Sequence, residues 1–369
     1  MKNLYLSLVI FGIIGCSSSD NKTKSLPVIG TKSGSNITVI PAQVKDTTEL
    51  LLSELIEDVE IIRLENNNEE AFIRGNTPLA ISQNYIAARG DMSTPAKLFN
   101  RKTGAFIANL GHTGRGQGEY FSITNLKIDE RSASVYLLPM MSDKLLRFGF
   151  DGNLTNSYPL VDVINKGAFK IDVEAQRITV ANMPFQNSKY VVWTQDFDGK
   201  VINGVDAVPY TVTNYDGEMF HRDNTTNFDL FLTSQNSLWN YDDQTNKLES
   251  VFSIDLLGKK GYYVLVELPT IYMCSIFGGD VPRGNLFVDK ETMEGGWYKL
   301  TNDLLGGIND SGFFWSGYYQ WNVEPLMLIE KLEPLREKAT GKARERIDYI
   351  LDNVKEDDNN VIILGKLTQ

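Results

Sequence analysis

The chain has 369 residues, 42% apolar and 11% aromatic, enough to bury one large or two ordinary cores and too hydrophobic for wholesale disorder. Its formal net charge is −11 with no basic cluster, which argues against nucleic acid as a partner. Two cysteines (Cys16, Cys274) and two histidines (His112, His221) give no disulfide framework, no zinc-ligand spacing and no histidine-based site, so neither metal nor cofactor is expected.

The first element is an address. "MKNLYLSLVIFGIIGC" carries one positive charge, then an uncharged apolar run over residues 4–14, too short to span a bilayer but right for a signal-peptide core. Its Gly15-Cys16 ending resembles the lipobox of bacterial lipoproteins. That resemblance implies a leader over residues 1–16 and Cys16 as the lipid attachment site. Ser17 follows, not the Asp that retains lipoproteins at the inner membrane, so the implied location is the bacterial outer membrane. Residues 17–48 begin with a stretch rich in Ser, Lys, Thr, Asn and Gly and read as a flexible polar tether. No later run reaches eighteen apolar residues, so membrane contact is expected through the anchor only.

Residues 49–369 repeat. "KLFNRKTGAFIANL" from Lys97, "KLLRFGFDGNLTNSYPL" from Lys144, "VVWTQDFDGKVING" from Val191 and "SLWNYDDQTNKLESVFSI" from Ser237 each read strand, polar turn, strand. Their turn residues, Gly104, Gly152, Gly199 and Asn246, are spaced 48, 47 and 47 residues, and Gly295 is the candidate for a fifth turn. Strand-like runs such as "SVYLLP", "ITVANM" and "FDLFL" lie upstream of the turns, with no helical pattern between them. Short strands at a period in the forties predict propeller blades of four antiparallel strands, six in number.

The last period is interrupted. Leu328, Leu332, Leu335, Ala339, Ala343, Ile347, Leu351 and Val354 recur at spacings of three and four, predicting a helical insertion at about residues 325–355 divided at Pro334 and Gly341. The strand "NVIILGKL" follows, and ring closure would pair it with an early strand such as "VEIIRL". With "SELIEDVEIIRLE", the turn unit from Phe99 to Ile107, the loop from Gly114 to Tyr120 and "DDNNVIILGKL", the chain resembles bacterial six-bladed β-propeller lipoproteins akin to TolB-like and NHL-type propellers. The resemblance implies an all-β six-bladed propeller and a surface location. It carries no catalytic residues.

"LGHTGRGQGEYFSITNL" places glycines at 111, 114, 116 and 118. A phosphate loop would need G-x-x-x-x-G-K-[ST] opening a helix, and Arg115, Glu119 and Tyr120 do not supply that ending. The loop therefore reads as a tight reversal between blades, with Arg115 and Tyr120 its candidate ligand contacts. Acid pairs such as Glu57-Asp58 and Asp242-Asp243 read as solvated, and no nucleophile elbow occurs. The five tryptophans all fall in the second half of the chain, and Trp239, Trp297, Trp315 and Trp321 join Arg115 and Tyr120 as candidate binding residues. The expected function is a non-catalytic, monomeric lipoprotein binding an extracellular glycan, a peptide or an envelope protein. The alternatives are a propeller glycoside hydrolase or lyase, marked by acids converging at the channel mouth, and an envelope scaffold, marked by an exposed apolar patch.

Overall fold

The computed structural model describes residues 26–185, 187–213, 217–310 and 312–369, so the leader, Cys16 and the start of the tether lie outside the described residues. Half of the chain is strand, arranged as six four-stranded antiparallel blades. Blade 1 runs from Leu79–Ile81 to Phe106–Leu110, blade 2 from Ile123–Asp129 to Leu154–Ile164, and blade 3 from Gly167–Asp172 to Val201–Asp206. Blade 4 runs from Met219–Phe220 to Lys247–Ile254, and blade 5 from Gly261–Glu267 to Gly295–Thr301. Blade 6 takes Phe313–Trp315, Tyr318–Val323 and Val361–Lys366 from the C-terminal part of the chain. The first strands of blades 1, 2, 3 and 4 touch one another in succession and line the axis.

The ring closes within blade 6. Its outermost strand is Glu60–Arg63, antiparallel to the last strand with Val361 opposite Arg63 and Leu364 opposite Glu60. An apolar cluster fills each junction between neighbouring blades; between blades 6 and 1 it includes Ile62, Ile86, Phe99, Ile362 and Leu364. Burial at six such junctions, where no single blade could cover both of its own faces, holds the ring together.

The repeat has a precise structural meaning. Gly104, Gly152, Gly199 and Asn246 adopt φ of 71°, 83°, 86° and 54° in the turn joining the third and fourth strands of their blades. In each case that turn leans on the outer strand of the preceding blade. A Cβ on Gly104 would lie 1.8 Å from the Arg63 oxygen, and one on Gly152 would lie 2.2 Å from the Asn109 oxygen. Asn246 donates its amide to the Gly204 oxygen at 3.2 Å. In blade 5 the left-handed position is Met293, φ 60°, and not Gly295 as expected. Gly295 is small for another reason: its Cβ would meet the Phe287 oxygen at 2.1 Å.

The N-terminal segment corrects the expected tether. From residue 30 onward the chain is built onto the ring. Gly30–Ser33 and Asn36–Val39 form a hairpin whose second strand pairs in parallel with the outer strand of blade 4, Ile37 opposite Phe252 and Val39 opposite Ile254. Thr47–Leu51 then pairs in parallel with the outer strand of blade 5. Polar composition masked an alternation in "NITV", where Ile37 and Val39 are buried, 2% and 0% exposed. These additions occupy blade edges that would otherwise present unpaired amides and carbonyls.

Two helices, α1 (Pro325–Arg336) and α2 (Gly341–Asn353), occupy the expected insertion. The break falls at residues 337–340. Pro334 sits in the final turn of α1, where it forfeits one backbone bond without dividing the helix. Leu328, Leu332, Ile347 and Ile350 pack with Leu305, Ile308 and Trp321 over blades 5 and 6. No helix among the described residues is long and apolar enough to cross a membrane.

Candidate functional site

Antiparallel pairing fixes which loops share a face. Connections from an outer strand to the next inner strand emerge on the same side as those joining second and third strands within a blade. That side carries the glycine loop, the loop of residues 89–95 and both helices. Met92, Phe121, Met140, Met141, Val208 and Leu257 all lie in its connections and are 41–76% exposed. Among the described residues, the connections of the opposite face carry no large apolar side chain exposed to this degree.

The opposite face is where the axis is blocked. The first strand of blade 4 is only Met219–Phe220, and residues 221–227 cross the channel instead of hugging their own blade. Ser316 of blade 6 donates its amide to the Arg222 oxygen at 2.8 Å. The Asn224 amide reaches the Glu267 oxygen of blade 5 at 3.2 Å, and its Oδ1 accepts from the Gly317 amide at 3.3 Å. Asp223, at φ 58°, pairs with Lys127 of blade 2. Buried Asp229 organises the segment, accepting from the amides of Arg222 (2.9 Å) and Asp223 (3.0 Å) and lying 3.0 Å from His221 Nδ1. Burial works to raise its carboxyl pKa, but His221 and the two amides outweigh burial and hold it below the usual range.

The plug turns the channel into a pocket of about 350 Å3, at the lower end of the range for small-molecule sites. Five blades contribute: Pro78 and Arg89 from blade 1, Ser122 to Thr124 and Met140 from blade 2, residues 165–167 from blade 3, Glu218, Met219, Phe220 and Arg222 from blade 4, and Trp315 from blade 6. Its wall holds a guanidinium without a hydrogen-bond acceptor among the described residues. Arg222 packs against the rings of Trp315 and Phe220, 4.8 and 5.0 Å from their centroids, and its buried Nε has no partner among the described residues. Desolvation lowers its pKa to about 10, opposed by the Asp229 carboxylate. Arg89 donates Nη1 to the Thr124 oxygen at 3.0 Å and has no carboxylate partner among the described residues; burial lowers its pKa also. Lys166 is occupied, by Glu218 at 2.5 Å and the Gly217 oxygen at 2.7 Å.

Of the six binding candidates read from the sequence, only Trp315 lines this cavity. Tyr120 is 4% exposed, its hydroxyl donating to the Leu110 oxygen at 2.6 Å and accepting from the Ala96 amide at 2.9 Å. Trp321 is 1% exposed, sealed into the packing of blades 5 and 6. Trp239 packs edge-on to Tyr210, centroids 5.6 Å apart. Trp297 donates Nε1 to the Val44 oxygen at 3.0 Å and thereby clasps the N-terminal strap. Arg115 is exposed over Phe121 on the glycine loop, in a neighbouring open groove of about 880 Å3. Met140 lies on the rim of both depressions. The groove is the larger of the two, but its glycine wall is held by internal bonds: Glu119 accepts from the Gly116 amide at 2.7 Å, and Gly114 donates to the Tyr120 oxygen at 3.2 Å. The central cavity is the stronger candidate because charged groups from different blades converge there.

Sequence reasoning missed Arg89, Arg222 and the plug. The available signal was weak: "MFHRDNTTNFDL" pairs a very short strand with a polar run, but nothing in that pattern says the run crosses the axis. Cys274, in contrast, is the small buried residue expected, fully enclosed with its thiol pKa pushed up by burial. Among the described residues no cluster of His, Cys, Asp and Glu has the arrangement of a metal site.

Comparison with solved structures gives one superposition above a TM-score of 0.5 among those that follow, and it supports the fold. A Bacteroides fragilis protein named as an exported one superposes with a TM-score of 0.63 at 13% identity, covering 90% of this chain and 100% of its own. A Bacteroides vulgatus member of the DUF4221 family covers 84% and 98% at 8% identity, with a TM-score of 0.45. The GH74 enzyme of Niastella koreensis covers 60% and 37% at 14% identity, with a TM-score of 0.39. No curated protein matches the chain in sequence. Residues 35–366, nearly the whole ring with its strap, match a domain of unknown function, and the chain belongs to that family, DUF4934.

Proposed function

We propose that the protein is an exported lipoprotein, anchored at the outer membrane through Cys16, whose propeller is a binding module for an extracellular glycan, a peptide or an envelope protein. The observation that carries this reading is the blind axial cavity opening on the face whose loops hold the exposed apolar residues. A pocket with one working mouth, ringed by apolar side chains, suits recognition. Among the described residues the cavity presents a single carboxylate, Glu218, already held by Lys166, whereas glycoside hydrolysis by the common route needs two facing carboxylates. The leader read from the sequence agrees with the exported name of the Bacteroides fragilis propeller.

Two measurements test the proposal. Cys16→Ala should move the protein from membrane to soluble fractions or block its processing; normal processing and retention at the membrane would refute the anchor. The soluble form, screened on immobilised oligosaccharides and peptides, should give saturable binding that Trp315→Ala weakens. Binding left intact by Trp315→Ala and abolished by changes in the Arg115 groove would move the site there.

A further inference from the structure

We infer that the axial cavity recognises a singly charged carboxylate carried on a compact apolar body. This deepens the binding-module reading and rests on it. Three cations stand at the cavity, Arg89, Lys166 and Arg222, against the carboxylates of Glu218 and, behind Arg222, Asp229. Among the described residues, and with Asp229 set against Arg222, one positive charge is left over, in a protein whose net charge is −11. A monoanion neutralises it; a dianion would overshoot within a poorly solvated space.

The geometry narrows the anion further. Arg222 packs against the rings of both Phe220 and Trp315, and its Nε is a donor without a partner among the described residues. A planar carboxylate meets a guanidinium edge with two parallel hydrogen bonds. Arg89 approaches from blade 1 and, with one Nη held by the Thr124 oxygen, has donors remaining. Both guanidinia are already stripped of much of their water, so an incoming carboxylate regains interactions that folding removed. Pro78, Ile123, Met140 and Met219, with Phe220 and Trp315, form the apolar part of the wall beside Ser122, Thr124 and Asn165, which suits an apolar body carrying few polar groups. Free aromatic acids and the C-terminal residue of a peptide share this chemistry.

Titration calorimetry on the purified Cys16→Ala protein with four probes tests the inference: N-acetyl-L-phenylalanine, its amide, 3-phenylpropionate and D-glucuronate. N-Acetyl-L-phenylalanine should bind at least tenfold more tightly than its amide and than D-glucuronate. Binding of 3-phenylpropionate as tightly as the acetylated amino acid assigns the site to free acids; weaker binding assigns it to peptide termini. Arg222→Gln should weaken N-acetyl-L-phenylalanine by roughly ten- to a hundredfold, as loss of a charge-assisted pair requires. Arg222 lies in the plug, so Arg89→Gln, on a loop, provides a second variant, and thermal melts establish that both are folded. Equal binding of acid and amide, a preference for D-glucuronate, or wild-type affinity in both folded variants would overturn the inference. If all four probes fail while the immobilised oligosaccharides or peptides still bind, the carboxylate assignment falls and the binding module stands.

Discussion

Three glycines at equivalent positions of successive blades make an internally controlled experiment on what joins the blades. Gly104, Gly152 and Gly199 have nearly the same left-handed backbone, so alanine at each carries a similar conformational cost of about 1–2 kcal/mol. Their surroundings differ. The new Cβ would lie 1.8 Å from the Arg63 oxygen at Gly104 and 2.2 Å from the Asn109 oxygen at Gly152, but 3.2 Å from a Pro159 side-chain carbon at Gly199. At the first two positions, backbone of the preceding blade must retreat by on the order of 1 Å, adding about 1–3 kcal/mol of overpacking. Gly104→Ala should therefore cost about 2–5 kcal/mol, Gly152→Ala slightly less, and Gly199→Ala only its conformational share. Gly104 carries the further burden that its contact lies beside the closing strand Glu60–Arg63, with the Glu65 amide bonded to its own oxygen at 3.0 Å. Equilibrium unfolding in urea, followed by tryptophan fluorescence, reads the series directly. Equal losses at all three positions would refute the claim that these turns act as wedges between blades.

Three more outcomes are expected. Deleting residues 361–369 removes the partner of both Glu60–Arg63 and Tyr318–Val323, and the protein should lose cooperative thermal unfolding or aggregate; a melt like that of the full chain would count against closure within blade 6. The Ser93 hydroxyl, opposed by burial and helped by the Thr94 hydroxyl and the Ser93 and Thr94 amides, lowers the Asp91 pKa from 3.8 to about 2. A depressed carboxyl contributes stability above its unfolded value that is lost as pH falls through the folded one, so Asp91→Asn should be less stable than wild type at neutral pH and converge with it between pH 3.8 and about 2 in acid-unfolding curves. Cys274 should resist a thiol reagent in the folded protein and react on unfolding; rapid labelling of the native state would contradict its burial.

The blades were legible because each repeat must place one left-handed residue at the same turn, and Gly or Asn marks it. The fifth repeat was misread by two residues because Met293 bears the positive φ while the neighbouring Gly295 serves a close backbone approach. The helical insertion was legible from its apolar spacing, although Pro334 proved too near the end of α1 to divide it. The strap was hidden by composition: an added edge strand buries few of its residues, so its sequence stays close to that of a polar linker. The cavity was not legible at all. Arg89 and Arg222 are far apart in the chain and belong to blades 1 and 4, and no local pattern records their convergence. Tryptophans were a poor guide, since four of the five serve packing or the strap and only Trp315 reaches the axis.

The strap has a mechanical consequence. Tension applied to the chain ahead of Leu26 first meets the backbone bonds that tie the Pro27 oxygen to the Gly295 amide, and then Ile29 and Gly30 to the Met293 oxygen, at the outer turn of blade 5. Behind them lie the hairpin on blade 4, then Thr47–Leu51 on blade 5, and only then Glu60–Arg63 at the seam of the ring. These attachments stand in series, so a tug or a protease working inward from the N-terminus must strip two blade edges before it reaches the strand that keeps the circle shut.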